Sequence, residues 1–333
     1  MKADKPKTKN RPGAWGYKSF MLLVVLGSLA MGGMRVAIHR RARPNVSQQI
    51  AATLVSWGVS LDAVAVPVDR SQADQWIAQL RSPISETRVQ AADWLASHGV
   101  RSSAGRIARS MDDPGTRRPC QLAKSLGSLG DDRWADKLIL ATRQTGNVDL
   151  QVCATLALGE LQPPRAVEAL IDVYRNDVAP AMALEALGRI ADPASLDFLR
   201  SVAAEPRNKS ERVLANLAIQ RVLLMQQPDP TAALIARLRS QSAQGSINPW
   251  TIRKLASIGD TRAVAAMSEV FPGARRDEQI GLAGALLMHG EPGRSGLRGL
   301  AEGPGPNGVQ RPGTTVARAA LALAVPATST ATP

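Results

Sequence analysis

The chain has 333 residues, of which 44% are hydrophobic but only 3% aromatic, and its formal net charge is +13. With so few aromatic side chains the core must consist of Ala, Leu, Ile and Val, which suits closely stacked helices. The charge is uneven, because residues 1–43 carry ten Lys and Arg against one Asp, whereas residues 72–301 carry 28 basic against 24 acidic side chains. The remainder therefore has no concentrated basic face, and we predict no nucleic-acid partner.

Residues 1–18 form a basic tail, and residues 19–38, in which only Arg35 is charged, form the most apolar stretch. About 20 helical residues span the hydrocarbon core of a bilayer, so we predict a transmembrane anchor at residues 19–38. The basic tail predicts a single-pass membrane protein with a cytoplasmic N-terminus and an extracytoplasmic remainder, periplasmic or at the cell surface. A secretory signal cleaved near residues 28–30 is the alternative, and it also sends the remainder across the membrane.

Residues 39–70 are predicted to be a linker, in which residues 47–57 could form a short helix. A further helix is expected to begin near Ser71, whose hydroxyl can cap it, and to carry Trp76 and Ile77 against the first repeat.

A short phrase with a Leu near a Gly returns from about residue 80 to residue 300, at steps of 29 to 38 residues. Its anchor leucines are Leu95, Leu126, Leu158, Leu187, Leu217, Leu255 and Leu286. A period of this size is typical of an α-solenoid, whose units cannot bury their apolar faces alone. We therefore predict an all-α solenoid of about 6–7 helical hairpins at residues 71–301, followed by a disordered Pro/Ala/Thr-rich tail at 302–333 with one short helix near 315–324.

The phrase Ala-Leu-Gly-Arg-Ile-Ala-Asp-Pro at residues 186–193 resembles the HEAT-like repeats of the phycobilisome-lyase type. The resemblance covers about residues 72–301 and is clearest at 112–204. It implies two antiparallel helices per unit, with the second helices lining the concave face. Such repeats occur in scaffolds, adaptors, inhibitors and a few enzymes. The long step from Leu217 to Leu255 predicts a loop or an extra helix that interrupts the stack.

The residues that bind metals or react covalently do not converge. His98 and His289 both stand three residues after an anchor Leu, in repeats far apart along the stack, and His39 has no partner in sequence. Cys120 and Cys153 lie on adjacent first helices, whose axes at about 8–10 Å leave a disulfide open, and we expect small core residues instead. Zinc, phosphate-loop and nucleophile-elbow motifs are missing from the sequence, so we predict no metal, no cofactor and no enzymatic activity.

The one polar pattern that follows the repeat lies on the second helices. Seven and ten residues after the anchor Leu, and farther along the same helices, stand Arg133, Asp136, Arg165, Glu168, Asp172, Arg175, Asp197 and Arg200. Equal offsets predict rows of charge across the stack. The rows either bind a partner or form a solvated face whose charges balance one another.

The sequence thus predicts a membrane-anchored, extracytoplasmic scaffold or adaptor that binds a protein partner on its concave face. The alternatives are a lyase-like or chromophore-handling HEAT-repeat protein, a secreted solenoid after signal cleavage, and a purely structural assembly module. The Arg-rich and Ala-rich composition is typical of a GC-rich bacterial genome.

Overall fold

A computed structural model describes residues 45–59, 70–302 and 312–324. The described residues from Val46 onward form one compact unit. Its described parts contain 17 α-helices and no strand, which confirms the predicted all-α class. The predicted basic tail at 1–18 and anchor at 19–38 lie outside the described residues.

Seven helical hairpins form the solenoid, preceded by two helices and followed by one. The leading helices are α1 (Val46–Ser56) and α2 (Arg70–Gln79). The hairpins pair α3 (Ser85–Ser97) with α4 (Ala104–Asp112), α5 (Pro119–Ser128) with α6 (Ala135–Thr142), α7 (Val148–Leu161) with α8 (Val167–Arg175), α9 (Pro180–Ile190) with α10 (Leu196–Ala204), α11 (Lys209–Met225) with α12 (Pro230–Ala243), α13 (Pro249–Ile258) with α14 (Arg262–Val270), and α15 (Arg276–Met288) with α16 (Gly290–Glu302). The last helix is α17 (Thr314–Ala324).

In the described ranges, no helix is both long and apolar enough to cross a membrane. The single-pass membrane localisation predicted from the sequence is therefore corrected: the described residues, which do not include the predicted anchor, give it no support.

The first helices begin at strong local signals. Asn147 and Asn208 accept hydrogen bonds from the backbone N–H three residues later, at 3.0 and 2.9 Å. Each such cap stabilises its helix by about 1 kcal/mol, because it satisfies an N–H that has no partner inside the helix. Four helices have a proline in their first turn, where the missing N–H costs nothing: Pro119, Pro180, Pro230 and Pro249.

The recurring phrase is the core of the stack. Six of the seven anchor leucines are fully buried: Leu95, Leu126, Leu158, Leu187, Leu255 and Leu286. Leu217 is only half-buried. In that repeat, Ala218 packs against the preceding Gly188, as Ala186 packs against Gly159. The packing register therefore makes Ile219 the anchor of the fifth repeat.

In the second, third and fourth repeats, the glycine directly after the anchor Leu allows neighbouring first helices to approach closely. A Cβ on Gly159 would stand 3.0 Å from the Cβ of Ala186, and one on Gly188 would stand 2.9 Å from that of Ala218. Between the second and fifth repeats the first helices are packed tightly, while the second helices are spaced apart. The stack therefore bends towards its first helices.

First helices of distant repeats also contact each other on the inner side of the curved stack. Arg253 on α13 donates to the backbone O of Glu160 at the end of α7 (2.6 Å), and the Lys254 Nζ donates to Gln162 just beyond it (2.9 Å). Second helices do not take part in these contacts. The implied placement of the second helices on the concave face is therefore corrected, because the tight Gly–Ala packing puts the first helices inside.

Helix α1 also lies on this inner side. Its Leu54 and the adjacent Trp57 pack against Gly284 of α15 in the last repeat, within 3.4–3.7 Å of where a Cβ would be. Gly58 lies against Gly130 after α5, where a Cβ on Gly130 would stand 1.9 Å from the Gly58 Cα. Residues 46–59, within the predicted linker, thus join the first repeats to the last.

The long step after Leu217 contains longer helices instead of a loop or an extra helix. Helix α11 has 17 residues and α12 has 14. The stack is nevertheless interrupted there, since α11 and α13 do not pack closely as other neighbouring first helices do.

Candidate functional site

The predicted charged rows lie on α6, α8 and α10 and on the turns before them. Of the eight side chains, seven are exposed and Asp172 is half-buried. On α8 the members are spaced by three or four residues, from Arg165 through Glu168 and Asp172 to Arg175, which keeps them on one helical face. The equal sequence offsets therefore correspond to exposed or half-buried positions on three consecutive second helices.

Arg165 joins two repeats within these rows. Its Nε donates to Asp136 Oδ1 at 2.8 Å, and its Nη1 donates to Asp132 Oδ2 at 2.7 Å. Its Nη2 also donates to the backbone O of Asp132. The bonds to Asp132, and then those to Asp136, raise the pKa of Arg165. The guanidinium stays charged and bridges the second repeat to the third.

The other three arginines of the rows contact an acidic residue of their own repeat or an aromatic ring of the next repeat. Arg133 turns back to Asp131 with two bonds at 2.9 and 2.7 Å, and Arg200 lies 3.4 Å from Asp197. Arg175 stacks over the Phe198 ring of the next repeat at 6.0 Å.

The carboxylates on α8 make fewer contacts than the arginines of the rows. Asp172 lies 3.9 Å from Arg143 of the preceding repeat, at the limit of an ion pair. Among the described residues, no hydrogen bond or ion pair involves Glu168. The rows are thus partly interlocked, and they leave exposed charge on α8 available.

An open depression adjoins the rows between the ends of α6 and α8. Its volume is about 490 Å³, and it is lined by Arg143, Gln151, Asp172 and Asn176 among others. Leu140, one turn before Arg143, is 64% exposed. Exposed charges, an apolar side chain and a concave surface therefore meet on one side of the second and third repeats.

A second charged cluster, which the sequence did not predict, lies on the inner side. Besides its bond to Gln162, the Lys254 Nζ lies 3.4 Å from the backbone O of Ile190 at the end of α9. Burial, and then repulsion from Arg253 and Arg221, lowers the pKa of Lys254 to about 8. Burial lowers the pKa of Arg253 to about 10 and raises that of Glu160.

One signal in the sequence could have identified this cluster. The residue before the anchor Leu is small in several repeats, as with Ala157 and Ala186, but it is Lys254 in the sixth. A long charged side chain cannot occupy a position that packs against a neighbouring helix at Gly–Ala distance. Its presence therefore indicates a break in the stack and a buried cation.

His98, His289 and the two cysteines lie apart from both clusters. His98 is exposed and stacks on Trp94 with ring centroids 3.9 Å apart, whereas His289 is buried. Within the described ranges, no group of three or more His, Cys, Asp or Glu side chains could hold a metal ion. Cys120 and Cys153 form a disulfide with Cα atoms 5.2 Å apart. The expectation of unpaired core residues missed how closely Gly127 and Ala157 bring these two helices together.

The solved structures include a similar chain in the complex of CpcE and CpcF of phycocyanin lyase from Nostoc sp. PCC7120. The match has 18% sequence identity and a TM-score of 0.45, and it covers 76% of this chain and 94% of that one. No curated protein matches the chain in sequence.

Residues 154–176, which form most of α7 and α8, match the family of PBS lyase HEAT-like repeats. This match contradicts the prediction that the chain is not an enzyme, because the family is named for lyases. It also shows that the predicted resemblance is correct: the repeat of this chain is similar to the PBS lyase HEAT-like repeat, most clearly at residues 154–176.

Proposed function

We propose that this HEAT-like repeat protein binds a protein partner on the outer face of α6, α8 and α10. The observation that carries the proposal is the exposure of charged side chains in register on three consecutive second helices, beside the depression of about 490 Å³. Specific interfaces combine a polar rim with a concave or apolar centre, and this face offers both.

The apolar contribution comes from Leu140, which is 64% exposed on the same helix as Asp136. A large aliphatic side chain beside a depression is the kind of anchor that a partner can cover. The charges around it give orientation more than affinity, since exposed ion pairs contribute only about 0–1 kcal/mol each.

The inner side is a weaker candidate for a protein partner. Residues 46–59 already lie against α15, and Arg253 and Lys254 already bond to the ends of α7 and α9. A protein that entered there would have to displace these contacts. The outer rows require no such rearrangement.

Site-specific crosslinking tests the proposal. A photoreactive amino acid at Leu140 is expected to crosslink one partner in the native host, which mass spectrometry identifies. The same substitution at Ile84, which is 62% exposed and precedes α3, outside the helices that carry the rows, is the matched control. Equal crosslinking from both positions would contradict a site on the outer face.

Charge reversal then tests the rows themselves. The double variant Glu168→Lys/Asp197→Lys is expected to bind the identified partner at least about tenfold more weakly, through lost complementarity and new repulsion. Both side chains are exposed, so its helical circular dichroism should not change. The control Asp74→Lys/Glu302→Lys makes the same charge change elsewhere on the surface. Unchanged affinity of a folded double variant would remove the rows from the site.

A second candidate is a lyase-type activity on a chromophore or similar ligand. The match to PBS lyase HEAT-like repeats favours it, and the lowered pKa of Lys254, about 8, provides a base or nucleophile on the inner side. Absorbance of the protein purified from its host tests this candidate. A bound coloured ligand would favour it, and a colourless protein that also fails to bind added chromophores would exclude it.

A further inference from the structure

Arg221 on α11 is buried without an anionic partner. The residue is 8% exposed, and its Nε is fully covered with no hydrogen-bond partner. The guanidinium makes no hydrogen bond to any described residue; its contact is with the Trp250 ring, at 5.1 Å from the centroid. Stacking on an aromatic ring replaces only part of the hydration that a buried cation loses.

The surroundings of Arg221 add positive charge. Burial, and then repulsion from Arg189, lowers the pKa of Arg221 to about 10, with Glu185 acting in the opposite direction. Glu185 is already bonded to Arg189 at 2.7 Å, so it is shared between cations. Arg237 on α12 also repels Arg221, and its own Nε is buried without a partner.

The balance of charge at this place is therefore unfavourable as it stands. Five cations, namely Arg189, Arg221, Arg237, Arg253 and Lys254, face two carboxylates, Glu160 and Glu185. Buried charge is normally paired, and buried cations that outnumber the neighbouring carboxylates are typical of a site for an anionic ligand.

The first helices on one side of Arg221 pack less closely than other neighbouring first helices. Arg221 lies at the break in the stack, where α11 and α13 do not pack closely. On the other side stands Gly188, and a Cβ there would lie 3.5 Å from Arg221 Nη1. Solvent reaches the cluster through Arg189, whose side chain is 36% exposed.

We propose that Arg221 and Arg237, with Arg189 at the entrance, bind a small oxyanion, a phosphate or carboxylate group, in the break between α11 and α13. A guanidinium is planar and presents paired N–H donors that match the oxygens of either group. Trp250 holds the Arg221 plane from one side. The site is separate from the outer rows, so the test of this proposal is independent of the proposed protein-binding face.

Thermal unfolding of the full chain tests the site. Sodium phosphate or disodium succinate is compared with sodium chloride at equal ionic strength and pH, so that screening is constant. At least one oxyanion is expected to raise the Tm by about 3 °C or more when near saturation. A response to phosphate alone identifies a phosphate group, a response to succinate alone a carboxylate, and either supports the site.

The variant Arg221→Met keeps the apolar stem and is expected to lose this shift, while its Tm in chloride stays equal or rises because an unpaired charge is gone. The control is Arg239→Met, an exposed arginine of α12 that pairs with Glu269, and it should keep the shift. If Arg221→Met does not fold, Arg237→Met serves with the same expectation. No shift beyond chloride in the wild type, or an equal shift in the folded Met variant, overturns the proposal.

Discussion

Gly127 lies against Ala157 so closely that a Cβ on the glycine would stand 2.6 Å from the alanine Cβ and 2.7 Å from its Cα. Real Cβ atoms essentially never approach so closely, and the obstacle includes backbone, so it cannot rotate away. The contact joins the phrase of one repeat to the phrase of the next. In this repeat the glycine after the anchor Leu is thus a requirement of helix packing and not of a turn, unlike Gly99, Gly259 and Gly290 of other repeats, which have a positive φ.

The variant Gly127→Ala should therefore lose about 1–3 kcal/mol of unfolding free energy, because the two helices must separate. This outcome opposes the usual preference for Ala over Gly in a helix. Urea unfolding followed by circular dichroism measures the change.

The control is Gly299→Ala in α16, where a Cβ would have no atom within 4 Å. That variant should gain up to about 1 kcal/mol from helix propensity. If both variants gain stability, the close approach of α5 and α7 is wrong.

The disulfide between Cys120 and Cys153 crosses the same pair of helices. These are the two cysteines of the chain, so the protein unfolded without reductant should show no free thiol. With a sequence separation of 33 between the cysteines, reduction is expected to cost about 3–4 kcal/mol through the entropy of the unfolded chain. Thiol titration and unfolding with and without reductant measure both.

The double variant Cys120→Ala/Cys153→Ala is the control for the reductant. Its stability should not change when reductant is added. Two reactive thiols in the protein denatured without reductant would contradict the pairing.

Features that recur from repeat to repeat could be predicted from the sequence, because residues with the same packing role return at a regular spacing. Equal offsets from the anchor Leu located Glu168 and Asp197 on one face, and they are exposed on consecutive second helices. The weak fifth repeat was set two residues too early at Leu217, because only the packing of Ala218 against Gly188 reveals its register.

Contacts that occur at a single place in the fold could not be predicted from the repeating pattern. Arg253 meets Glu160 across 93 residues, and Lys254 meets Gln162 across 92. Their positions depend on the total curvature of the stack, which adds small rotations over several repeats. The same holds for α1, whose contact with α15 needs the first and last repeats to come together.

Removal of Arg253 tests this closure. In Arg253→Met, the backbone O of Glu160 and that of Trp57 lose their donor, at 2.6 and 3.4 Å in the native protein. We expect a loss of about 1–3 kcal/mol of unfolding free energy and faster amide exchange in residues 46–59. Hydrogen–deuterium exchange with mass spectrometry reads the second effect directly.

Arg239→Met is the matched control, since Arg239 is exposed and its pair with Glu269 contributes at most about 1 kcal/mol. It should leave exchange in residues 46–59 unchanged. Equal exchange of α1 in both variants would show that Arg253 does not hold the inner segment.

His289 makes the stability depend on pH near neutrality. The residue is 9% exposed, and burial lowers the pKa of His289 below its usual 6.5, against smaller opposing effects of the Leu255 backbone and Asp260. Above about pH 6.5 the ring is neutral in both states and contributes no slope. Below about pH 6.5 the unfolded chain binds a proton at His289 that the native protein does not bind. The free energy of unfolding therefore decreases as the pH is lowered, by up to about 1.4 kcal/mol per pH unit.

Urea unfolding at several pH values between 5.5 and 7.5 measures this slope. His289→Leu, which fills a similar volume without a titrating group, should remove it and leave the protein more stable at pH 5.5. His98→Gln, on the exposed ring at the other end of the solenoid, should retain the wild-type slope. The comparison of the two variants separates His289 from the carboxylates, because their contribution is common to both. A slope that survives in His289→Leu would mean that the buried ring accepts its proton in the native state.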